Sequence, residues 1–262
     1  MDPALRAAAT GMQAQQTRVE VISNNLANVN TPGFKRSRAH FEDLLYQTEQ
    51  GTQAVDGTDA ETTGVIQVGR GTRLAAVQRI DRQGTLEQTG RPLDLAIEGE
   101  GYFQVQMPDG GFAYTRDGSF SISDQGVIVT NSGYTVSPGV SVPEDATELT
   151  ISRNGVVSVA SAADGIPVEI GRIELARFTN PPGLRAMGEN LFTETPASGE
   201  PQTGFAQEGG FGRVLQGSLE GSNVEIVQEM VDMITAMRAY EINSKAVQSA
   251  EQMSEIANGL IR

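Results

Sequence analysis

Between Ser222 and Asn258 the chain carries neither glycine nor proline, although its 262 residues include 30 Gly and 11 Pro. A stretch that long without a breaker is expected to be helix. Ser222-Asn223-Val224-Glu225 has the Ser-x-x-Glu form of a capping box and marks its start. Ile226, Met230, Met233, Met237, Tyr240 and Val247 form one apolar stripe. Ile242, Ala246, Met253, Ile256 and Leu260 form a second, slightly offset one. At about 1.5 Å per residue this helix reaches roughly 54 Å. The other end of the chain is similar. From Asp2 to about Asn28 only Pro3 and Gly11 intervene, and Pro3 suits a first helical position with Asp2 as its cap. Leu5, Ala8, Met12, Val19, Ile22, Leu26 and Val29 follow a heptad seam interrupted only by Gln15. Thr31-Pro32-Gly33 stops this second helix. Narrow Met- and Ala-rich seams at opposite chain ends predict a terminal coiled-coil pair that associates with copies of itself.

The middle, roughly 64 to 215, changes character. Apolar alternation marks Val65–Val68, Leu93–Ile97, Tyr102–Val105, Val127–Val129, Leu149–Ile151, Val156–Val159 and Val168–Ile170. Turn signals separate these runs: Asp109-Gly110, Asp117-Gly118, Asn131-Ser132-Gly133, Asn154-Gly155 and Asp164-Gly165. No βαβ pattern appears. The expected class is α+β: a discontinuous helical coiled-coil domain made by the two ends, and a central antiparallel all-β domain. Residues 46–66 are polar and aperiodic between Leu44, Leu45, Tyr46 and Val65, Ile66, which predicts a hairpin-like arm clamped at its base.

Charge and composition exclude several functions. With 19 Lys plus Arg against 33 Asp plus Glu the formal net charge is −14, the wrong sign for nucleic acid or an anionic membrane surface. Without cysteine there is no disulfide, Fe–S cluster or thiolate chemistry. His40 is the single histidine, so a multi-His metal site is not expected. No window is apolar enough to insert in a membrane, and no cleavable signal is expected at Met1–Arg6.

Catalytic motifs fail one by one. Gly69-Arg70-Gly71 has Leu74 where a dinucleotide fingerprint needs its third glycine. No P-loop or Gly-x-Ser-x-Gly elbow occurs, and the only lysines are Lys35 and Lys245. The acidic run Asp56–Glu61 lacks the spacing of a Ca²⁺ loop. Lys35, Arg36 and Arg38 read as a salt-bridging patch. No catalytic residue, cofactor or metal is expected.

One segment stands out. Asn24 and Asn28 share a helix face beside the seam, with Asn25 next to them, and such amides set register at a cost in stability. Thr31-Pro32-Gly33 then turns the chain and Phe34 can anchor it. Asn24-Asn25-Leu26-Ala27-Asn28-Val29-Asn30-Thr31-Pro32-Gly33-Phe34-Lys35 resembles the N-terminal signature of bacterial flagellar axial proteins of the rod and hook. Ser222-Asn223-Val224, Met230–Ile234 and Arg238–Lys245 resemble the C-terminal signature of the same family. Phe41–Gln47, Tyr114–Phe120 and Gly188–Thr195 are similar to its distal-rod branch, so the likeness covers nearly the whole chain. Some members have Asn where Pro32 stands; either residue keeps the turn.

The resemblance implies a structural subunit that polymerises into a straight, stiff tube, a drive shaft between motor and hook. It implies an inner core of the terminal helices (1–30 and 223–262), a connecting region (31–85 and 205–222) and an outward β domain (86–204). The assembly interface would include Leu5, Met12, Val19, Ile22, Asn24, Asn25, Leu26, Asn28 and the turn Thr31, Pro32, Gly33, Phe34. From the other helix come Met230, Met233, Ile234, Met237, Tyr240, Ile242, Val247 and Met253. Implied partners are further copies of the chain, other rod and hook proteins, the outer-ring bushing and the flagellar export apparatus. The implied location is the periplasmic rod of the basal body, reached by export without a cleaved signal. A proximal rod or hook subunit is the alternative within the family. A secreted β-rich binding module, or a carboxylate-dependent hydrolase, is the alternative outside it.

Overall fold

The computed structural model describes residues 3–50, 66–143, 145–161 and 167–260. Two long helices flank a centre of antiparallel strands, so the α+β architecture holds. Helix α1 spans Pro3–Ala27 and helix α2 spans Ile226–Leu260. The latter begins just past Glu225, whose carboxylate accepts from Arg82 at 3.2 Å rather than closing a capping box. The chain divides into two compact units. One holds 1–26, 37–78 and 226–262; the other holds 27–36 and 79–225.

In the helical unit α1 and α2 run antiparallel: Asn25 meets Glu229, and Gly11 lies against Asn243. Ser37–Asp43 pairs with Thr72–Arg79, a ribbon the strand patterns did not foresee; most of its side chains are exposed, and they include His40. Tyr46–Gln50 pairs antiparallel with Ile66–Gly69, Tyr46 opposite Gly69, so the base of the arm is a hairpin; its remainder lies outside the described residues. Gly71, at φ +106°, lets the ribbon approach α1. A Cβ there would sit 2.1 Å from the Thr10 hydroxyl, which accepts the Thr72 N–H at 3.3 Å.

The β unit is built on one sheet whose path runs Arg185–Gly188, Leu191–Thr193, Phe112–Thr115, Tyr102–Gln106, Thr135–Val136, Ile128–Thr130, Phe120–Ile122. Glu174–Arg177 joins Tyr102–Gln106 and also pairs with Gln202–Phe205. Ala146–Ile151, Val156–Ser161 and Pro167–Arg172 form a second sheet, and Leu95–Glu98 pairs with Arg213–Gln216. The central strand Tyr102–Gln106 is buried on both faces. Phe103 and Val105 enter the main core with Leu95, Ile97, Phe120 and Val214. Tyr102 enters an aromatic cluster with Tyr114, Phe178 and Phe192. Rings meet edge to face, Phe103 with Phe120 at 5.1 Å and Tyr114 with Phe178 at 4.8 Å. Each such side chain contributes roughly 1.5–3 kcal/mol through burial.

The short motifs of this unit have structural reasons. In Tyr114–Phe120 the Thr115 hydroxyl donates to the Asn190 carbonyl at 2.8 Å, and Asp117 accepts from Asn190 Nδ2 at 3.1 Å. Glu189 and Asn190 both have positive φ, 54° and 60°, and make the tight turn that presents Asn190 to Asp117. Gly118 leaves no room for a side chain: a Cβ would lie 1.6 Å from the Leu95 carbonyl oxygen.

Candidate assembly interface

The face that α2 turns toward its own chain is not its apolar stripe. Glu229, Ala236, Asn243 and Ala250 recur every seventh residue; Glu229, Ala236 and Ala250 are buried and Asn243 is half-buried. The matching face of α1 carries Gly11, Ala14, Arg18, Ile22 and Asn25. Small and polar groups let the two helices meet through hydrogen bonds. Asn25 Nδ2 donates to Glu229 Oε2 at 3.2 Å, Arg18 lies 3.6 Å from Asp232, and a Cβ on Gly11 would stand 2.8 Å from Asn243 Nδ2. Asn25 also bonds both backbone groups of Ser37, donating to its carbonyl at 2.9 Å and accepting its N–H at 2.8 Å. One amide thereby ties α1 to the following strand and to α2.

The expected interface residues divide accordingly. Met230, Ile234, Met237, Tyr240, Ile242 and Met253 are exposed along α2, together with Ile226, Val227, Val231 and Ile256. Leu5, Met12, Val19, Leu26, Met233 and Val247 are half-buried. Ile22 and Asn25 are buried inside the helical unit. Asn24 is exposed and Asn28 half-buried, the latter accepting from the Thr31 hydroxyl at 3.2 Å. Thr31, Pro32 and Phe34 are half-buried in the β unit, whereas Gly33 is buried. An uncovered run of large apolar side chains along most of a long helix is the signature of an interaction surface.

Gly33 leads to a polar cluster that the motifs alone did not single out. At φ +69° its N–H donates to the Glu220 carbonyl at 2.7 Å, and a Cβ would lie 2.7 Å from the Arg116 and Asp117 backbone. Glu220, fully buried, accepts from Lys35 Nζ and from the Gly84 N–H (2.9 Å) on Oε1, and from Arg116 Nη1 (3.1 Å) on Oε2. Lys35 also donates to the Arg82 carbonyl at 2.9 Å. Burial pushes the Lys35 ammonium below its usual range, and the Glu220 carboxylate opposes that shift. Asn223 fastens the same place: Nδ2 donates to the carbonyls of Ile80 (2.9 Å) and Arg82 (2.8 Å), and Oδ1 accepts the Arg36 N–H (2.7 Å). Residues 33–36, 80–84 and 220–223 are thus stitched side by side. Lys35 was visible in the sequence as a salt-bridging residue; the signal for its partner would have been a lone Glu just before Ser222-Asn223.

No group of three or more His, Asp or Glu with metal-holding geometry occurs among the described residues, and no described helix is long and apolar enough to cross a membrane.

Comparison with known proteins converges on one family. Residues 5–35 match the family described as flagella basal body rod protein, and 96–159 match the flagellar hook protein FlgE/F/G D1 domain. Residues 215–260 match the flagellar basal body rod FlgEFG protein C-terminal family. The flagellar basal-body rod protein FlgG of Borreliella burgdorferi is 51% identical, covering 99% of this chain and 98% of its own. FlgG of Caulobacter vibrioides is also 51% identical, with 98% of each chain covered. FlgG of Bacillus subtilis is 38% identical over 95% of this chain and 96% of its own. A crystal structure of the Helicobacter pylori flagellar hook protein FlgE2 aligns with 60% of this chain and 47% of that one at 17% identity, but its TM-score of 0.25 is too low to bear on the fold. Identity at about half the positions, sustained from one end to the other in two relatives, leaves a single assignment: the chain belongs to the family of flagellar basal-body rod proteins that includes FlgG.

Proposed function

We propose that this protein is a structural subunit of the flagellar distal rod, not an enzyme, and that it self-assembles into a straight, stiff tube serving as drive shaft between motor and hook. The observation that carries the reading is the end-to-end identity with FlgG proteins, which are named as rod components. The uncovered apolar stripe of α2 supplies a physical means, because such a stripe gains free energy when copies cover it, at roughly 25 cal/mol per Å². In this reading residues 1–30 and 223–262 form the inner core, 31–85 and 205–222 connect, and 86–204 face outward. The interface residues are those of the stripe, Met230, Ile234, Met237, Tyr240, Ile242 and Met253, with Leu5, Met12, Val19 and Leu26 from α1. The partners are further copies, other rod and hook proteins, the outer-ring bushing and the export apparatus. The location is the periplasmic rod, reached without a cleaved signal. An arm at 46–66, clamped by the Tyr46–Gln50 ladder, would fix the spacing between neighbouring subunits and keep the tube straight.

Electron microscopy of the concentrated protein tests this reading. Wild type is expected to form tubes, and Met237→Asp to leave folded, unassembled protein, because a carboxylate at a packed interface is costly. A variant lacking 50–62 is expected to polymerise into curved or polymorphic tubes. Wild type that stays monomeric at every concentration, or Met237→Asp that polymerises normally, would sink the proposal.

A further inference from the structure

The groups gathered at Glu220 come from far apart: Lys35 lies 185 positions before it and Arg116 104 positions before it. We propose that Glu220 is a closing latch, so that the turn through Gly33 and Lys35 docks onto the β unit only after the strand Ser218–Glu220 has been built into that unit. A partly folded chain therefore keeps this turn undocked, and docking reports that the chain has closed.

The two halves of the latch are unequal. The receiving half assembles without the turn. Arg116 is held by the carbonyls of Ile97 at 3.1 Å and Gly99 at 2.7 Å, and Leu95–Glu98 is paired with Arg213–Gln216. Ser218–Glu220 pairs with Leu86–Gln88, and the Ser218 N–H reaches the Asp94 carbonyl at 3.3 Å. The arriving half cannot dock alone. The Lys35 side chain is 1% exposed and that of Glu220 0%. Without Glu220 a cation would enter the interior hydrogen-bonded to the Arg82 carbonyl, with Asp81 as its remaining nearby anion and Arg116 repelling it, and the Gly33 N–H would lose its acceptor. Asn223, which takes the Arg36 N–H, lies three residues beyond Glu220 and arrives with it.

Pulsed hydrogen exchange during refolding of the full-length chain tests the order. Protection of the Gly33 and Arg36 amides is expected with or after that of Val214 and Gly217, whose N–H groups bond to Arg153 and Asp94. Earlier protection of Gly33 and Arg36 overturns the proposal. At equilibrium, Glu220→Gln is expected to speed exchange at Gly33 and Arg36 about a hundredfold, and to leave amides of Tyr102–Gln106 within about threefold of wild type. Unchanged exchange at Gly33, or equal acceleration in both places, also overturns it. If Glu220→Gln does not fold, the wild-type refolding order decides alone.

Discussion

The strand Tyr102–Gln106 and the helix α2 treat apolar residues in opposite ways. The strand buries four of its five side chains on two faces. The helix buries Ala236, Ala250 and Glu229 and leaves ten large apolar side chains exposed, from Ile226 to Ile256. In the β unit the chain buries a core of Leu, Ile, Val and Phe side chains and leaves scattered ones such as Phe112 and Val168 exposed. In the helical unit α2 meets α1 through small and polar residues, and its large apolar side chains stay exposed. If the exposed stripe is the assembly surface proposed above, stability and association fall to different residues and each can be altered separately.

The largest expected effect is in the β unit. Gly118→Ala would place a methyl 1.6 Å from the Leu95 carbonyl oxygen, backbone that also donates its N–H to Gly118 at 3.0 Å. We expect a loss of about 3 kcal/mol or more, read as a fall in the thermal midpoint of the strand signal. An unchanged midpoint would mean the β unit is less tightly built than the helical one, and the contrast would fail. Next comes α2 itself, where adjacent residues should behave differently. Ala236, fully buried, becomes overpacked as Ala236→Leu, at a cost of about 1–3 kcal/mol to the helical unit. Met237, 49% exposed, should tolerate Met237→Ser within about 0.5 kcal/mol in the unassembled protein. The reverse order in chemical denaturation would place the inner face of α2 on the apolar stripe.

That inner face also shows where the sequence was readable and where it was not. Breaker-free runs marked both helices, and alternation marked Leu95–Glu98, Tyr102–Gln106, Ile128–Thr130 and the three strands of the second sheet, because local periodicity reflects which element forms; it missed Phe112–Thr115, Phe120–Ile122, Glu174–Arg177, Leu191–Thr193 and Arg213–Gln216, which also line the core. Neither signal revealed which face of α2 meets α1. The pattern of large apolar residues points to Met230, Met233 and Met237, whereas the contact runs through Glu229, Ala236, Asn243 and Ala250. A seam of small residues with hydrogen bonds across it has little hydrophobic signal. The Asn cluster was legible as unusual, but not that Asn25 in particular would bond Ser37 and Glu229. The ribbon Ser37–Asp43 with Thr72–Arg79 escaped notice because it is exposed on most positions, so no burial pattern shaped its sequence. Lys35, Arg116 and Glu220 escaped for another reason: their pairing spans 185 positions, and no local spacing encodes it.

The tyrosines sharpen the same contrast at high pH. Burial, with Glu194 nearby, pushes the Tyr114 phenol up to about 12, and burial with Asp81 raises Tyr102 further. Tyr134 is raised too, chiefly by Glu189. A raised phenol pKa favours the neutral form in the folded state. Its contribution is complete below the ordinary value of 10 and is lost as pH rises from there through the folded value. In an ultraviolet titration, Tyr102 and Tyr114 are expected to ionise only as the β unit unfolds. Phe substitutions assign the steps. If Tyr114→Phe removes a component that titrates near 10 in folded protein, the aromatic cluster is open to water and the difference between the units narrows.

The smallest effect comes from comparing two Arg–Glu pairs of nearly equal length, one in each unit. Arg73 and Glu42 lie 3.0 Å apart across the ribbon, with side chains 64% and 56% exposed. Arg116 and Glu220 lie 3.1 Å apart, at 8% and 0%. Distance alone would rate them equal. Water decides otherwise. The exposed pair exchanges hydration for a screened attraction and must hold two long side chains still, so a double-mutant cycle on Arg73 and Glu42 should give about 0.5 kcal/mol or less and shrink in high salt. Removing Arg116 leaves Glu220 with Lys35 as its partner but takes the donors from the Ile97 and Gly99 carbonyls, so Arg116→Ala alone should cost about 2–3 kcal/mol and depend little on salt. A coupling above about 1 kcal/mol for Arg73 and Glu42 in unassembled protein would show that the ribbon is more sheltered than its exposure indicates. The helical unit would then be ordering its surface alone, and the contrast between the buried strand Tyr102–Gln106 and the exposed stripe of α2 would be less sharp.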